Sequence, residues 1–574
     1  MTSSEIKRFS FSADQADSLR LEDSRLSNWP VVYTLNDQKR VYVGETINAA
    51  ARMRQHREST SKDGLTCIRI ILDDRFNKSA CLDLESHLIR LLSGDGAFDV
   101  INRNDGITDA DYYDRESYTR QFRDIFEQLR HEGILTRPIH EIQNDDLYKY
   151  SPFKALNDDQ ALAVLHIVSG LQDAIKDGTG SVSVVSGEPG TGKTIVAVFL
   201  IKLLRDIATQ TDFETEQDSV FADLFVSDTR EALTGLRIGF VIPQQSLRKT
   251  IQRVFKRTPQ LDPGMVLSPF DVGKDPGHFD LLIVDETHRL SQRANQSSGP
   301  ANKDFREITE SLFGKDDVNR TQLDWVKAKS RHSIFLLDAA QSVRPADLPQ
   351  RILSDLEIEA NAQRRKFRLA TQMRVKAGEN YTGYINSILK ARAHGAQNFQ
   401  EYDLRLYEDL ASMISAISGM DSEHGLSRLL AGYAWPWHSK KNKDAFDITI
   451  GDISLRWNSQ IVDWVNSPKS VNEVGSIHTI QGYDLNYAGV IIGNDLQYDP
   501  STRSMKFDRS NYYDKKGMEN NKTLGITYSD DDLLDLVQNI YRVLLTRGIR
   551  GTFVYAEDSH MRDYLARHLP VFKK

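Results

Sequence analysis

The chain has 574 residues, of which 40% are apolar and 27% are charged. This is the composition of an ordinary globular protein, and the length exceeds what one hydrophobic core can use, so we expect several domains. Two cysteines, Cys67 and Cys81, exclude a disulfide framework, and the lack of a secretory signal or membrane-length apolar run favours the cytoplasm. The net charge of −8 neither indicates nor excludes a nucleic-acid partner, because a local basic groove matters more than the sum.

A β-hairpin followed by a helix is predicted near the start of the chain. The runs VVYTL (31–35) and VYVGE (41–45) flank the polar turn NDQKR, and both are rich in β-branched residues and tyrosine. In the next segment, TINAAARMRQHRES, four residues form one helical stripe at the spacing i, i+3, i+4, i+7. They are Ala49, Arg52, Met53 and His56. Arg52 is therefore a charged side chain inside an otherwise apolar stripe.

A second predicted helix, SACLDLESHLIRLL, carries an acidic residue within its apolar face. Glu85 lies in the middle of that face, and a buried carboxylate is costly unless it is paired or binds a metal. The face itself is made by Cys81, Leu88, Ile89 and Leu92. An ion pair between Glu85 and Arg52 without any catalytic role remains an alternative, as do tyrosines that are ordinary strand residues.

Together these residues resemble a GIY-YIG nuclease domain, predicted at 28–108 after an N-terminal extension of 1–27. Tyr33 and Tyr42 stand at the two signature tyrosines, Arg52 and His56 at the family's helix positions, and Glu85 at its metal-binding carboxylate. The late asparagine of the family corresponds to Asn102, with Asn104 as an alternative. The resemblance implies that Glu85 holds a divalent metal, that Tyr33 activates water, and that Arg52 neutralises the transition-state phosphate.

Residues 109–150 are predicted to connect this domain to the rest of the chain. Five apolar or aromatic side chains lie on one face of a helix that ends near Gly133. They are Tyr118, Phe122, Ile125, Phe126 and Leu129. The following stretch, TRPIHEIQNDDLYKYSPFKA, is predicted to be an extended linker.

A P-loop follows, in the sequence GEPGTGKT (187–194) between an apolar strand and a helix. Gly187, Gly190 and Gly192 let backbone N–H groups surround the phosphates of a nucleotide, at the N-terminus of the helix. We expect Lys193 to reach the β- and γ-phosphates and the hydroxyl of Thr194 to bind Mg²⁺. The motif predicts that the chain binds ATP with Mg²⁺.

Further strands that end in polar residues come after the P-loop. One is GLRIGFVIP (235–243), and another is FDLLIV, which ends at Asp285 and Glu286. Carboxylates at this end of a parallel strand lie beside the phosphate site, where Asp285 can hold Mg²⁺ and Glu286 can orient the attacking water. A third strand, SIFLLDAAQSV, predicts that Gln341 lies near the γ-phosphate. Each strand alone could be an ordinary part of a sheet, but the order of all three favours a nucleotide-hydrolysing site.

This order of motifs resembles the superfamily 1 helicases, and the words DETH, QMR and QGYD fit the schlafen-group branch. By resemblance, Gln160 in LNDDQ reads the adenine base, Arg374 in LATQMR reaches the γ-phosphate, and Arg547 in YRVLLTRGIRG is the arginine finger. Gln481 and Gly482 belong to the fifth motif of the family, which also contacts the nucleotide.

The predicted architecture is therefore α/β, with a small α+β GIY-YIG nuclease domain and two RecA-like P-loop lobes at 151–360 and 361–574. The predicted function is an ATP-dependent translocase or helicase coupled to a metal-dependent endonuclease in bacterial defence against phage or foreign DNA. The predicted partner is nucleic acid, with DNA favoured over RNA, and a protein partner or a homo-oligomer is left open. Two alternatives stay open: a nucleotide-gated switch that regulates the nuclease without translocating, and an RNA-processing nuclease.

One surface motif lies outside this scheme. The stretch WPWHSKKNKD (435–444) mixes aromatic and basic residues, as surfaces that bind single strands do. Plain surface packing is an equal alternative for this stretch.

Overall fold

The structure of the chain, a computed structural model, describes residues 4–102, 112–209, 220–294, 296, 298–338, 342–372, 380–480 and 483–573, and only the backbone of 13–17. The chain divides into two compact units. One comprises residues 1–178, 194–236 and 251–265, and the other comprises 179–193, 237–250 and 266–574. Among the described residues, no helix has the length and apolar character needed to cross a membrane.

The first unit contains a five-stranded sheet with the order β1-β4-β2-β3-β5. All its pairings are antiparallel except that of β3 with β5. The predicted hairpin is confirmed as β2 and β3, with Tyr33 opposite Gly44. The strands are β1 (Glu5–Ser10), β2 (Val31–Asn36), β3 (Arg40–Thr46), β4 (Cys67–Leu72) and β5 (Asp99–Val100).

Helices cover both faces of this sheet because its central strands are buried on both sides. Val31, Tyr33 and Leu35 point to a core shared with the first helices of the chain, whereas Val32 points to a second core shared with later helices. The predicted connector helix is confirmed as α5, which buries Phe122, Ile125, Phe126 and Leu129 in that second core. The helices are α1 (Ala13–Glu22), α2 (Arg25–Asn28), α3 (Ala49–Glu58), α4 (Lys78–Asp95), α5 (Arg115–His131), α6 (Ile139–Asn144) and α7 (Asp146–Lys149).

Residues 4–27 belong to this sheet domain, whereas the sequence predicts a separate extension over 1–27. Strand β1 pairs with β4 along all six of its residues. Leu19 and Leu26 of the segment are fully buried. The segment is therefore part of the domain core.

The stretch predicted to be an extended linker forms the two short helices α6 and α7, so that prediction is wrong. The carboxylate of Asp95 accepts hydrogen bonds from the backbone N–H groups of Thr136 and Arg137, both at 3.1 Å. Gly94 lets Tyr148 approach closely, because a Cβ at Gly94 would lie 2.7 Å from the Cβ of Tyr148. Packing against α4 supplies order that the local sequence does not specify.

Four more helices follow in the chain. All of their residues belong to the first unit except Lys193 of the second helix and residues 245–250 of the fourth. The buried apolar stripe of α8 includes Val164, Ile167 and Leu171. The helices are α8 (Asp158–Lys176), α9 (Lys193–Thr209), α10 (Ser227–Leu233) and α11 (Gln245–Arg257).

The second unit contains two parallel sheets, which confirms the predicted pair of α/β lobes. The first sheet has the order β11-β6-β10-β9-β7-β8, and all its pairings are parallel. Its strands are β6 (Ser181–Gly187), β7 (Ile238–Val241), β8 (Val266–Leu267), β9 (Phe279–Val284), β10 (Ser330–Leu337) and β11 (Lys366–Leu369). The helices between these strands are α12 (Pro269–Lys274), α13 (Gly299–Phe313), α14 (Gln322–Lys329) and α15 (Gln350–Ala362).

The boundary between the two lobes differs from the predicted one at 360/361. Strand β11 pairs with β6 and is the edge strand of the first sheet. The predicted boundary assigns the same residues to the second lobe. A strand of four residues takes its sheet from its pairing partner, which lies far away in sequence.

The second sheet has the order β12-β20-β17-β13-β16-β15-β14, with only the last pair antiparallel. Its strands are β12 (Asp403–Leu406), β13 (Ser427–Ala431), β14 (Ile448–Ile450), β15 (Ile453–Trp457), β16 (Glu473–Gly475), β17 (Leu485–Ile492) and β20 (Gly548–Ala556). The hairpin of β18 (Leu496–Asp499) and β19 (Ser504–Phe507) stands apart from this sheet. The helices are α16 (Asn380–Leu389), α17 (Leu410–His424), α18 (Ile477–Ile480), α19 (Asp530–Leu545) and α20 (Ser559–Leu565).

Candidate functional site

The P-loop lies at the carboxyl end of β6, as predicted. Gly190 and Gly192 have φ angles of 89° and 80°, a backbone region that suits glycine and turns the loop around. The Nζ of Lys193 donates hydrogen bonds to the carbonyls of Gly187 and Glu188, at 2.6 and 2.9 Å. The lysine ammonium therefore lies over the loop that would receive a phosphate group.

The acidic pair follows β9, whose carboxyl end lies at the same edge of the sheet as that of β6. Asp285 is buried, and its carboxylate accepts the backbone N–H of Glu286 at 2.9 Å. Glu286 has φ 47° and ψ 46°, a left-handed conformation that a non-glycine residue adopts at a cost. Strain of this kind is typical of functional positions in a rigid scaffold.

Opposite charges surround the carboxylate of Glu286. Burial opposes its ionisation, but His288 lies 3.0 Å away and the positive charges of Lys193 and Arg547 also act on it. Together these three groups outweigh burial and lower the pKa of Glu286. A carboxylate that stays ionised can orient a water molecule by accepting its hydrogen bond.

Arg547 brings the second lobe to this carboxylate. It lies between α19 and β20, is almost fully buried, and donates a hydrogen bond from Nη1 to the carbonyl of Tyr483 at 3.4 Å. The hydroxyl of Tyr483 in turn lies 3.2 Å from that of Thr250. These contacts fix the position of Arg547, and its positive charge acts on Glu286. Its role as the arginine finger stays a prediction.

The structure does not test the other residues that are predicted to contact the nucleotide. Gln341, Arg374, Gln481 and Gly482 lie outside the described residues. Gln160 is fully buried, and its side chain completes a capping box at the start of α8 by accepting the backbone N–H of Asn157. The roles of Gln160 in base recognition and of Thr194 in metal binding stay predictions.

One contact to the P-loop was missed in the sequence. The side-chain amide of Gln372 donates to the carbonyl of Pro189 at 2.6 Å. Gln372 belongs to the LATQMR segment, in which the sequence predicts a nucleotide contact for the arginine alone. Its place just after β11, the strand beside β6, accounts for the contact.

A polar network extends from the acidic motif into the second lobe. The sequence does not predict it. Arg289 donates to the carboxylate of Asp347 at 3.0 Å, and the same carboxylate accepts the backbone N–H of Arg344 at 3.1 Å. The guanidinium of Arg344 lies 2.6 Å from Nδ1 of His478, whose Nε2 lies 3.2 Å from Asp514. Burial and the Arg344 charge lower the pKa of His478 to about 4, so its neutral ring can accept from Arg344.

Comparison with known families agrees with this geometry. The family model described as Schlafen group 3, DNA/RNA helicase domain, matches residues 180–558. The chain belongs to the Schlafen group 3 helicase family. The matched range contains both parallel sheets, the P-loop and Arg547, and it begins after the N-terminal sheet domain. Membership supports a helicase-like ATPase that binds nucleic acid.

Similar proteins include an uncharacterized protein of Saccharomyces cerevisiae, YPL245W, which is 26% identical over 414 residues, 67% of this chain and 83% of the yeast protein. Among solved structures, the arterivirus nonstructural protein 10 helicase is 12% identical with a TM-score of 0.28, covering 69% of this chain and 63% of that one. Pif1 helicase from Bacteroides, in complex with ADP-AlF3 and single-stranded DNA, is 11% identical with a TM-score of 0.26, covering 68% and 91%. TM-scores this low support no conclusion about the present chain.

The N-terminal domain of this Schlafen group 3 protein has a separate cluster of polar side chains. The hydroxyl of Tyr33 lies 2.6 Å from Nε2 of His56, and the ring of Tyr42 meets the His56 ring edge-on at 5.2 Å. The ammonium of Lys62, a residue not predicted, lies 3.5 Å from the centre of the Tyr42 ring. Burial and the charges of Arg52 and Lys62 lower the pKa of His56 to about 3, so the ring is neutral near pH 7.

The backbone beside these tyrosines is held by two specific residues. Gly44 lies opposite Tyr33, and a Cβ there would overlap the tyrosine hydroxyl. Asn102 donates to the carbonyl of Val43 at 2.8 Å and accepts its N–H at 3.0 Å. Asn102 therefore clamps the strand between Tyr42 and Gly44, a role that its place in the motif did not predict.

Glu85 lies on α4 and is almost fully buried, as its place in an apolar stripe predicted. It and Glu45 both act electrostatically on Cys81, and they contribute, after burial, to a raised pKa of that thiol. One oxygen of Glu45 pairs with Lys78 at 2.7 Å, and the other is buried without a hydrogen bond. Within the described ranges no group of three or more histidine, cysteine or acidic residues could hold a metal. Any metal here would rely on one or two carboxylates together with substrate oxygens.

Proposed function

We propose that this protein is an ATP-driven nucleic-acid motor of the helicase type with two RecA-like lobes. The observation that carries the proposal is the convergence of charge at Glu286, where Lys193 of the P-loop and Arg547 of the second lobe both act on one carboxylate. An arrangement in which one lobe supplies the lysine and the other the arginine allows ATP binding to draw the lobes together. Hydrolysis would then release them.

Each residue has a proposed part in hydrolysis. The P-loop backbone and Lys193 bind the phosphates, Glu286 orients the attacking water, and Arg547 stabilises charge on the transferred phosphoryl group. Asp285 and Thr194 would hold Mg²⁺, since carboxylate and hydroxyl oxygens suit this ion. Mg²⁺, when bound, would neutralise part of the phosphate charge.

The test is ATP turnover by the purified chain with single-stranded DNA, with single-stranded RNA, and without nucleic acid. A motor is expected to hydrolyse ATP faster with one or both strands present. If neither strand changes turnover and only a protein partner does, the nucleotide-gated switch replaces the motor. Stimulation by RNA alone would support the RNA-processing alternative.

We further propose that the N-terminal domain is a GIY-YIG endonuclease. The short contact between Tyr33 and a neutral His56 supports this assignment, because the ring can accept the hydrogen bond of the Tyr33 hydroxyl and orient that hydroxyl toward the water it activates. Arg52 would neutralise the phosphate, and Glu85 would hold the divalent metal. The buried oxygen of Glu45 fits a metal bound near Glu85, since Mg²⁺ is often held by one or two carboxylates and substrate oxygens.

The two activities are proposed to be coupled, with the motor delivering long substrates to the nuclease. A role in defence against foreign DNA would suit that combination. Lys193→Ala should impair cutting of long substrates far more than short ones, because short strands reach the nuclease by diffusion. Glu85→Ala should abolish cutting and leave nucleic-acid-stimulated ATP turnover intact. Equal cutting by Lys193→Ala and the parent at every length would separate the two activities.

A further inference from the structure

A basic and aromatic loop, residues 435–446, protrudes from the second lobe between β13 and the edge strand β14. Lys440, Lys441 and Lys443 are exposed along it, and Phe446 is 49% exposed. An exposed aromatic ring beside three lysines combines the two features that bind single strands, a stacking surface and positive charge. None of the nucleotide-site residues described above belongs to this loop.

The loop is held in a defined shape. The buried carboxylate of Asp447 accepts the backbone N–H of Ser439 at 2.7 Å and that of Trp457 at 2.8 Å. The indole N–H of Trp437 donates to the hydroxyl of Ser439 at 3.0 Å. One side chain thus ties Ser439 within the loop to Trp457 of β15, which lowers the entropy lost when a ligand binds.

Two aromatic rings of the loop, those of Trp437 and Phe446, each have a cation beside them. The Nζ of Lys440 lies 5.6 Å from the centre of the Trp437 ring. The guanidinium of Arg456 lies 4.4 Å from the centre of the Phe446 ring and is fixed by hydrogen bonds to the carbonyls of Asp444 and Ala445. Base stacking on the rings and phosphate contact by these cations are therefore possible within one short surface.

We propose that this loop binds single-stranded nucleic acid, with Lys440, Lys441 and Lys443 on phosphates and Phe446 stacked on a base. The proposal rests on the proposed motor function and assigns one of its nucleic-acid contacts. DNA and RNA share the phosphates and base faces that such a loop recognises, so both are candidate ligands.

Packed side chains connect the loop to the hydrolytic site. Trp437 packs against Tyr433, with ring centres 6.5 Å apart, and Tyr433 packs against His478 at 5.3 Å. His478 contacts Arg344, whose backbone is bound by Asp347, the partner of Arg289. Arg289 lies three residues after Glu286. This chain of contacts is a physical route between a strand bound at the loop and the hydrolytic site.

The test measures binding of fluorescently labelled oligo-dT and oligo-U to the full chain by anisotropy, without ATP. The variant Lys440→Glu/Lys441→Glu/Lys443→Glu should bind at least tenfold more weakly than the parent. The control Lys303→Glu/Lys315→Glu/Lys506→Glu alters three exposed lysines elsewhere with the same change in net charge. It should bind within about twofold of the parent, because exposed charges far from the bound strand are largely screened by salt.

Salt dependence gives a second readout. Each phosphate contact to a single strand contributes about 0.7 to the slope of log affinity against log salt, so losing three should reduce the slope by about 2. Phe446→Ser should weaken binding about tenfold with the slope unchanged, because it removes stacking and no charge. In ATP turnover, the lysine variant should keep the basal rate and need about tenfold more oligonucleotide for half-maximal stimulation.

The outcomes separate this proposal from the proposed function. If the parent binds neither oligonucleotide, both fail. If the parent binds but the loop variant binds equally well, or the control variant loses as much affinity, only the loop assignment is overturned. Equal loss of binding to a polyglutamate probe would reassign the loop to acidic protein partners and also overturn it.

Discussion

In the N-terminal domain, Tyr33, Tyr42, His56 and Lys62 come from one short stretch of chain, whereas in the helicase domain Lys193, Glu286 and Arg547 come from three distant segments. The first cluster needs only a hairpin, the helix after it and the turn that carries Lys62, so it lies within a single sheet domain. The second needs two sheets to meet. A site of the first kind can act by itself, whereas a site of the second kind can respond to anything that moves one lobe against the other.

The largest expected effect is on ATP turnover at the hydrolytic site of the helicase domain. Glu286→Gln should keep nucleotide binding, because Lys193 and Asp285 remain, and should lower ATP turnover by several orders of magnitude, because the amide cannot orient water as the carboxylate does. Turnover is followed by phosphate release, and binding by a fluorescent nucleotide. Turnover at the parental rate would contradict the assignment of the acidic motif.

Arg547 tests whether the second lobe completes the hydrolytic site. Arg547→Ala should lower stimulated ATP turnover by a factor on the order of 10³ and leave the fold of the first lobe unchanged. Arg550→Ala is the matched control, since Arg550 is exposed on β20, three residues after Arg547, and should have no effect. Equal activity of the two variants would mean that the second lobe does not complete the site. Arg374→Ala is expected to behave like Arg547→Ala.

The local site is tested by its tyrosine and the glycine opposite. Tyr33→Phe should reduce strand cutting about a hundredfold or more, because the hydroxyl that bonds His56 is lost. Gly44→Ala should have a similar effect, since its methyl group would displace that hydroxyl. Both variants should hydrolyse ATP like the parent. A parallel loss of ATP turnover would show that the two sites are not separate.

Acid should weaken both regions through a histidine whose pKa is lowered. The pKa is lowered to about 3 for His56 and to about 4 for His478, below the value of about 6.5 in an unfolded chain. Between these values the unfolded chain binds more protons, so the free energy of unfolding falls as the pH drops below about 6.5. Denaturant unfolding at pH 7 and pH 4.5 should show a smaller loss of stability for His56→Gln than for the parent. If both proteins lost the same free energy of unfolding, the pKa of His56 would be that of a histidine in contact with water, and its lowered value would be contradicted.

The smallest expected effect concerns the clamp on the hairpin. Asn102→Ala should lower the free energy of unfolding of the N-terminal domain by about 2 kcal/mol, because it leaves the backbone groups of Val43 without their partners. Asn102→Asp keeps the acceptor but places a buried carboxylate against the carbonyl of Val43, so it should cost at least as much as Asn102→Ala. Thermal unfolding measures both, and an unchanged midpoint for Asn102→Ala would exclude the clamp.

The sequence predicted those parts of the molecule that depend on neighbouring residues. The hairpin, the stripe containing Arg52 and His56, the P-loop and the place of Glu286 after β9 all follow from local spacing. The parts that it could not predict depend on distant partners. Helices α6 and α7 are ordered by packing on α4, strand β11 takes its place from β6, and Arg344 meets His478 across 134 residues.

The most direct test follows phosphate release and strand cuts together in one reaction with a short single-stranded substrate, ATP and Mg²⁺. The parent should do both. Glu286→Gln should lose phosphate release and keep cutting, and Tyr33→Phe should lose cutting and keep phosphate release. Loss of both activities in both variants, or of neither in either, would contradict the account of two separate active sites in one chain.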